Sequence, residues 1–491
     1  MESGFELVDI LLVSPAIAVF IASLIPLTIK VFRGNNEPNT FATMMWAFIG
    51  LIAAAALSIS SFGVEKTAFN KALIFDGLSS WSTLIVLLLT AFSLLFARES
   101  KATNSKQFSE FIFLLMNSAI GMMFLSWAND LIVTFIAIEI MSLCLYILIA
   151  MSHEEILSKE AAFKYFILGS FGSAILLYGI SFIYGVAGTT YINELAKVGA
   201  ELVATNRLFL IGVVLVLIGL CFKAGLAPFH AWTPDVYEGS PTAITGFMAT
   251  GVKVVTFTAL LRLVTTQFLN SDRSQDLVTV LQWIAVGSML LGNIAAIKQD
   301  SLKRMLAYSS ISHSGYALVG IIAAGFGDTG LAGASGTIFY IFSYTLITLG
   351  TFGFVSLFEK REDTILMISD LKGLSRRRPW MALAMAILLM SLAGIPPTVG
   401  FFGKFYIFAS AISQGLFWLA IWGVISSVIS VYYYLRPIVL MYMNDEDASE
   451  IVKTKSLTIF GVGVMASLTL LVGLFSDPFY QFVVKSVARM F

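Results

Sequence analysis

Glu139, Lys164, Lys223, Lys253, His313 and Lys404 all stand inside long apolar stretches of this 491-residue chain. A charge at the centre of a membrane helix costs about 2.5–3.5 kcal/mol on the insertion scale. Several such charges in one chain point to a use. Glu139, within Ile136-Ala137-Ile138-Glu139-Ile140, is far along its run from both Asp130 and His153, so its carboxylate cannot reach the surface. Lys253 is about 13 Å along a helix from Arg262, at about 1.5 Å per residue, and is equally out of reach. Lys164 is one turn from Glu160 and can snorkel. A buried lysine gives up its proton readily and regains it when a carboxylate approaches. Glu139 beside Lys164 or Lys223 would therefore form a proton switch. A static ion pair between helices is the alternative, but it leaves Lys253, Lys404 and His313 unexplained. His313 can carry a proton at physiological pH, or act as a hydrogen-bonded packing residue.

Membrane-spanning helices must position these groups. Hydrophobic residues make up 58% of the chain and charged ones 12%, with a mean hydropathy of +0.88, which excludes a water-soluble domain. Apolar runs of spanning length recur from end to end. They define an all-α membrane protein of about fourteen transmembrane helices, the fifth near 129–150, the sixth near 161–186, the seventh near 207–227, the eighth near 239–264, the tenth near 304–325 and the twelfth near 379–410. Lys plus Arg and Asp plus Glu are equal at 30 each, so nothing points to nucleic acid. Cys144 and Cys221 lie in apolar runs and read as small buried hydrophobes, with no metal or disulfide expected. Met1 to Glu6 is acidic and the run behind it is long, so this end reads as a first anchor and not as a signal peptide.

Two stretches resemble each other. Pro228 interrupts the seventh helix and Pro396-Pro397 the twelfth; Leu261-Arg262 ends the eighth as Leu435-Arg436 ends the thirteenth, and Glu139 precedes His313 by that same separation. The organisation read from this is an N-terminal part, 1–108, a five-helix repeat, 109–264, a second five-helix repeat, 276–441, and a last helix within 456–491. Units with an odd number of spans lie upside down relative to each other, the inverted-repeat plan of many transporters. A proline also frees the carbonyl four residues back. That predicts a wet polar pocket beside Lys223, at the carbonyl of Ala224, and free carbonyls at Leu392 and Ala393, about two turns before Lys404.

The run Phe222-Lys223-Ala224-Gly225-Leu226-Ala227-Pro228, continued by Trp232-Thr233-Pro234-Asp235-Val236-Tyr237-Glu238-Gly239, is similar to the signature of the N subunit of bacterial NADH:quinone oxidoreductase, the mitochondrial subunit-2 type. Glu160-Ala161-Ala162-Phe163-Lys164, Lys303-Arg304-Met305-Leu306-Ala307-Tyr308 and Gly394-Ile395-Pro396-Pro397-Thr398 resemble the same family. The resemblance spans nearly the whole chain. It implies a proton-translocating membrane-arm subunit of respiratory complex I, in the bacterial inner membrane. It also implies that this chain carries out no redox chemistry and holds no cofactor, with NADH, FMN, iron–sulfur clusters and quinone on other subunits. The family's relay residues fall on Glu139, Lys164, Lys223, Lys253, His313 and Lys404, and the expected neighbours are M-type, K-type and J-type membrane-arm subunits. A subunit of a multisubunit cation/proton antiporter or membrane-bound hydrogenase, and a passive scaffold, are the competing classes.

Loop charge sets orientation. The loops holding Lys30, Arg33, Arg98, Lys101, Lys298, Lys303 and Arg304 and the cluster Arg376-Arg377-Arg378 carry most of the Lys and Arg, so they face the cytoplasm and both termini face the periplasm. A cysteine placed at position 377 should react with an impermeant thiol reagent only in inverted vesicles. Labelling of that position from outside intact cells would overturn the orientation.

Overall fold

A computed structural model describes residues 7–34, 39–98, 107–152, 156–265, 274–325, 330–359, 365–444 and 456–488. Met1 to Glu6, Lys101 and His153 lie outside the described residues. The chain opens with helices α1 (Leu7–Leu12), α2 (Ser14–Phe32) and α3 (Thr40–Ser60), a hairpin of β1 (Lys66–Ala68) and β2 (Leu73–Phe75), and α4 (Gly77–Ala97). Then come α5 (Phe108–Trp127), α6 (Leu131–Ala150), α7 (Ile156–Ala187), α8 (Ile192–Thr205), α9 (Arg207–Ala224), α10 (Trp232–Gly239) and α11 (Thr242–Thr265). A second series holds α12 (Ser274–Ile297), α13 (Leu302–Ala324), α14 (Leu331–Ser356), a 3-10 turn (Ile368–Leu371), α15 (Leu374–Arg377), α16 (Pro379–Ala393), α17 (Val399–Ser413) and α18 (Phe417–Met443). The chain closes with α19 (Ser456–Leu474) and α20 (Ser476–Val487).

Among the described residues twelve helices are long and apolar enough to cross a bilayer. The other expected spans are α13, which is 23 residues long but rich in serine, and the pair α16 and α17, at 15 residues each. The short helices α8 and α20 and the hairpin were not legible as separate elements. Exposed isoleucines and leucine at 132, 136, 140, 143 and 147 recur at helical spacing on α6, so one face of it meets lipid while the opposite face packs inward. At the centre stand α11 and α14, with 94% of the apolar window of each enclosed.

Both expected helix breaks occur, but upstream of the prolines. α9 and α16 end at Gly225 and Gly394, with φ +68° and +86°. In each, the glycine amide bonds the carbonyl three residues back, and the next amide reaches five back, Leu226 to Cys221 and Ile395 to Met390, both at 3.0 Å. This paired closure needs a left-handed residue, which only glycine adopts cheaply. The prolines occupy the non-helical links that follow.

Hydrogen bonding recurs between the two series. Asp130 bridges Tyr191 at the start of α6, and Ser301 bridges Met367 at the start of α13. Ile192 donates to the Asn129 carbonyl as Ile368 donates to that of Asp300. Asp130 and Ser301 cap α6 and α13 with their side chains. Counted from those caps, Glu139 corresponds to Ser310 and Ser142 to His313, so the alignment of Glu139 with His313 is one turn out of register.

One ion pair ties the first series together. Asp76 accepts the Ser79 amide at the start of α4 (2.8 Å) and both terminal nitrogens of Arg262 (2.8 and 3.2 Å), with each side chain only 6% exposed. Burial pushes the Asp76 carboxyl up, but Arg262 and Ser79 outweigh it and hold it below the usual carboxylate range. The corresponding Arg436 pairs with Asp300, whose side chain is 73% exposed. Asp76→Ala should therefore cost about 3–5 kcal/mol by leaving Arg262 buried and unpaired, and Asp300→Ala about 0–1 kcal/mol. Thermal unfolding of the detergent-extracted protein measures both, and equal losses would contradict the assignment.

Candidate functional site

Lys223 lies on the last turn of α9, 1% exposed, and donates to the Ser142 hydroxyl of α6 at 3.0 Å. Ser142 is three residues from Glu139, so the two share a face. The Glu139 carboxylate acts electrostatically on Lys223, and its Oε1 is enclosed without a hydrogen-bond partner among the described residues. Of the two alternatives for the glutamate's lysine, the fold brings Lys223.

The Ala224 carbonyl, freed at the end of α9, is taken by protein: the Ser314 hydroxyl of α13 donates to it at 2.7 Å. That hydroxyl also accepts from Lys253 Nζ at 2.7 Å, and Lys253 further donates to the carbonyl and hydroxyl of Ser310. Lys253 thus spends its three N–H donors on three neutral acceptors, and its ammonium sits 5.4 Å from the centre of the Tyr344 ring.

Lys404 repeats the arrangement at the second break. Its ammonium donates to the carbonyls of Leu392 and Ala393, each at 3.0 Å, and to Ser427 Oγ at 2.9 Å, and lies 5.0 Å from the Tyr316 ring centre. The two carbonyls are those that the proline rule leaves free. A Cβ on Gly394 would stand 3.3 Å from Lys404 Nζ, so this glycine both ends α16 and makes room for the ammonium.

His313 lies between the two lysines and feels the charge of both. Its Nδ1 is 2.6 Å from the Tyr340 hydroxyl and its Nε2 2.9 Å from that of Tyr434. Buried Lys223, Lys253, His313 and Lys404 thus form one interior row, with Glu139 at its first end.

Lys164 does not join the row. Its side chain is 40% exposed and pairs with Glu160 at 2.7 Å and Asp235 at 2.8 Å. Asp235 also meets Arg304 at 3.0 Å, and Arg304 meets Glu238 at 2.9 Å, around a cleft of about 150 Å³. Burial raises the Asp235 carboxyl, but Lys164 and Arg304 overcome this and hold it below the usual carboxylate range. Snorkelling thus prevails at Lys164, because carboxylates from α7 and α10 receive its head group at the rim.

The serines that receive the lysines escaped sequence reading, although Ser309-Ser310-Ile311-Ser312-His313-Ser314 is a usable signal, with hydroxyls around a histidine in an apolar run. The tyrosines escaped because they come from helices distant in sequence. No group of three or more His, Cys, Asp or Glu suited to a metal occurs among the described residues.

Residues 128–430 match the family described as NADH:quinone oxidoreductase/Mrp antiporter, TM. The chain is 52% identical over 487 residues to NADH-quinone oxidoreductase subunit N of Bdellovibrio bacteriovorus, covering 99% of this chain and 100% of that one. A chain of respiratory complex I from Thermus thermophilus superposes with a TM-score of 0.81 at 30% identity, over 95% of this chain and 98% of that chain. A chain of the archaeal membrane-bound sulfane sulfur reductase shares the fold, with a TM-score of 0.84 at 22% identity, over 98% and 96%. With a full-length relative at this identity, and with the lysine-bearing helix breaks in the matched region, the chain belongs to the NADH-quinone oxidoreductase subunit N family, the antiporter-like membrane subunits of complex I.

Proposed function

We propose that this chain translocates protons in the membrane arm of a bacterial complex I, passing them along Glu139, Lys223, Lys253, His313 and Lys404. One observation carries this reading. Lys253 and Lys404 are buried ammonium groups whose hydrogen-bond partners are all uncharged. A carboxylate would lock each lysine in its charged form; carbonyls and hydroxyls hold it without doing so. Glu139 supplies the bias at the first station only, stabilising charge on Lys223. Like charges along the row oppose one another in a low-dielectric interior, so a proton arriving at one station favours release from the next. Lys404, at the far end of the row from Glu139, suits the exit. Lys164 serves at the rim, where Glu160 and Asp235 hold it in its charged form.

NADH, FMN, iron–sulfur clusters and quinone belong to other subunits in this reading, and M-type, K-type and J-type subunits are the neighbours. The two five-helix units, 109–264 and 276–441, lie inverted in the inner membrane with both termini periplasmic. The recurring bridges and helix breaks support the repeat, because an odd number of spans reverses its orientation.

Lys223→Ala and Glu139→Ala should cut proton pumping and coupled quinone reduction while the complex assembles, since removing a buried charge relieves a burial cost. Lys404→Arg, which cannot lose its proton, should block turnover, whereas Lys404→Glu should retain part of it. Pumping in inverted vesicles, normalised to assembled complex, measures all four. Wild-type rates in the alanine variants would end the relay reading, and full activity of Lys404→Arg would reduce Lys404 to a fixed charge.

A further inference from the structure

The partners of His313 differ in kind from those of the lysines, and the difference bears on how a proton crosses the centre of the row. A backbone carbonyl or carboxylate on one imidazole nitrogen pins the ring in a single tautomer, because such an oxygen only accepts. His313 has neither. Both of its nitrogens face phenol hydroxyls, Tyr340 of α14 at 2.6 Å and Tyr434 of α18 at 2.9 Å, and a phenol hydroxyl donates or accepts as required. Tyr434 is bonded in turn to the Ser309 hydroxyl, where either oxygen can be the donor. Two more tyrosines complete a box. Tyr344 and Tyr316 contact the His313 ring at centroid distances of 5.2 and 5.7 Å, and each carries a lysine against its ring, Lys253 and Lys404 respectively. The charged or titratable groups around His313 are thus these four tyrosines and two lysines, with no carboxylate among its hydrogen-bond partners.

We infer that Tyr340 and Tyr434 are proton-transfer residues that leave His313 free to exist in either tautomer, so that a proton taken up on one ring nitrogen is released from the other. The phenol facing the bare nitrogen passes its hydrogen to it and takes up the incoming proton in turn, and an imidazolium forms. The proton on the opposite nitrogen then leaves to the facing phenol oxygen, whose own hydrogen passes to the Ser309 hydroxyl beyond Tyr434 or to a water molecule beyond Tyr340. Neutral imidazole remains in the other tautomer, with one proton taken in and one let go. The phenyl faces of Tyr344 and Tyr316 separate the imidazolium from the flanking ammonium groups and favour a cation at each. This rests on the relay proposed above.

Tyr340→Phe, Tyr434→Phe and the double variant keep the rings and remove only the hydroxyls. In assembled complex reconstituted into liposomes, each single variant should lower pumping about 100-fold or more, the scale of a lost proton-transfer group. The solvent deuterium isotope effect on pumping should rise, because proton transfer becomes limiting. The double variant should be no slower than the worse single, since both breaks lie in one series path. Should Tyr434→Phe not assemble, Ser309→Ala, which leaves both His313 bonds in place, should still raise the isotope effect. Wild-type pumping in both phenylalanine variants, with Lys223→Ala inactive, would overturn the tyrosine assignment and leave the relay standing. Multiplying losses with an unchanged isotope effect, or no isotope change in Ser309→Ala, would also overturn it. Wild-type pumping in Lys223→Ala as well would remove the relay itself.

Discussion

An ammonium group in a bilayer interior must satisfy three donors without water or a counter-ion, and the architecture of this subunit follows from meeting that demand twice. At Lys404 the backbone itself is the solvent. Ending α16 at Gly394 exposes the carbonyls of Leu392 and Ala393, and both turn to the lysine. At the first break the same geometry releases the Ala224 carbonyl, but Ser314 takes it and hands its own oxygen to Lys253. One structural device, a helix closed early by a left-handed glycine, thus serves a lysine directly in one half and through a serine in the other.

The cost of these charges explains where they sit. α11 and α14, the most enclosed of the twelve spans, carry Lys253 and two of the four tyrosines around His313, Tyr340 and Tyr344, while lipid meets the aliphatic faces of outer helices such as α6. Irregular backbone at membrane depth is tolerated only where protein surrounds it, and here the carbonyls that end α9 and α16, those of Ala224 and Ala393, accept from the α13 and α18 hydroxyls of Ser314 and Ser427. The buried Asp76–Arg262 pair ties α4 to the end of α11, and so steadies the helix that holds Lys253.

Much of this was legible in the sequence because burial cost is a sequence property. Glu139, Lys223, Lys253, His313 and Lys404 stood out against apolar runs, and the chain gathers them. The proline rule picked out the carbonyls at Leu392 and Ala393, although it is the closure at Gly394 that frees them. What depended on distant contacts was not legible. Lys164, one turn from Glu160, reads as able to snorkel, but the partner that receives it at the rim, Asp235 of α10, is distant in sequence. Gly225 and Gly394, and not the prolines, end the helices, because the closing bonds depend on φ. The matching caps at Asp130 and Ser301 were not legible, because their bridges to Tyr191 and Met367 join residues distant in sequence. Tyr340 and Tyr434 gave no signal because aromatic residues in apolar runs resemble ordinary packing until a histidine is found between them.

The central claim is that buried lysines change protonation as protons pass. Infrared difference spectroscopy on reconstituted complex, with lysine labelled at the side-chain nitrogen with 15N, follows the ammonium deformation bands during quinone-driven turnover. The account predicts label-sensitive bands that appear only in turnover and lose one component in Lys404→Gln. Full pumping with no label-sensitive change would contradict it.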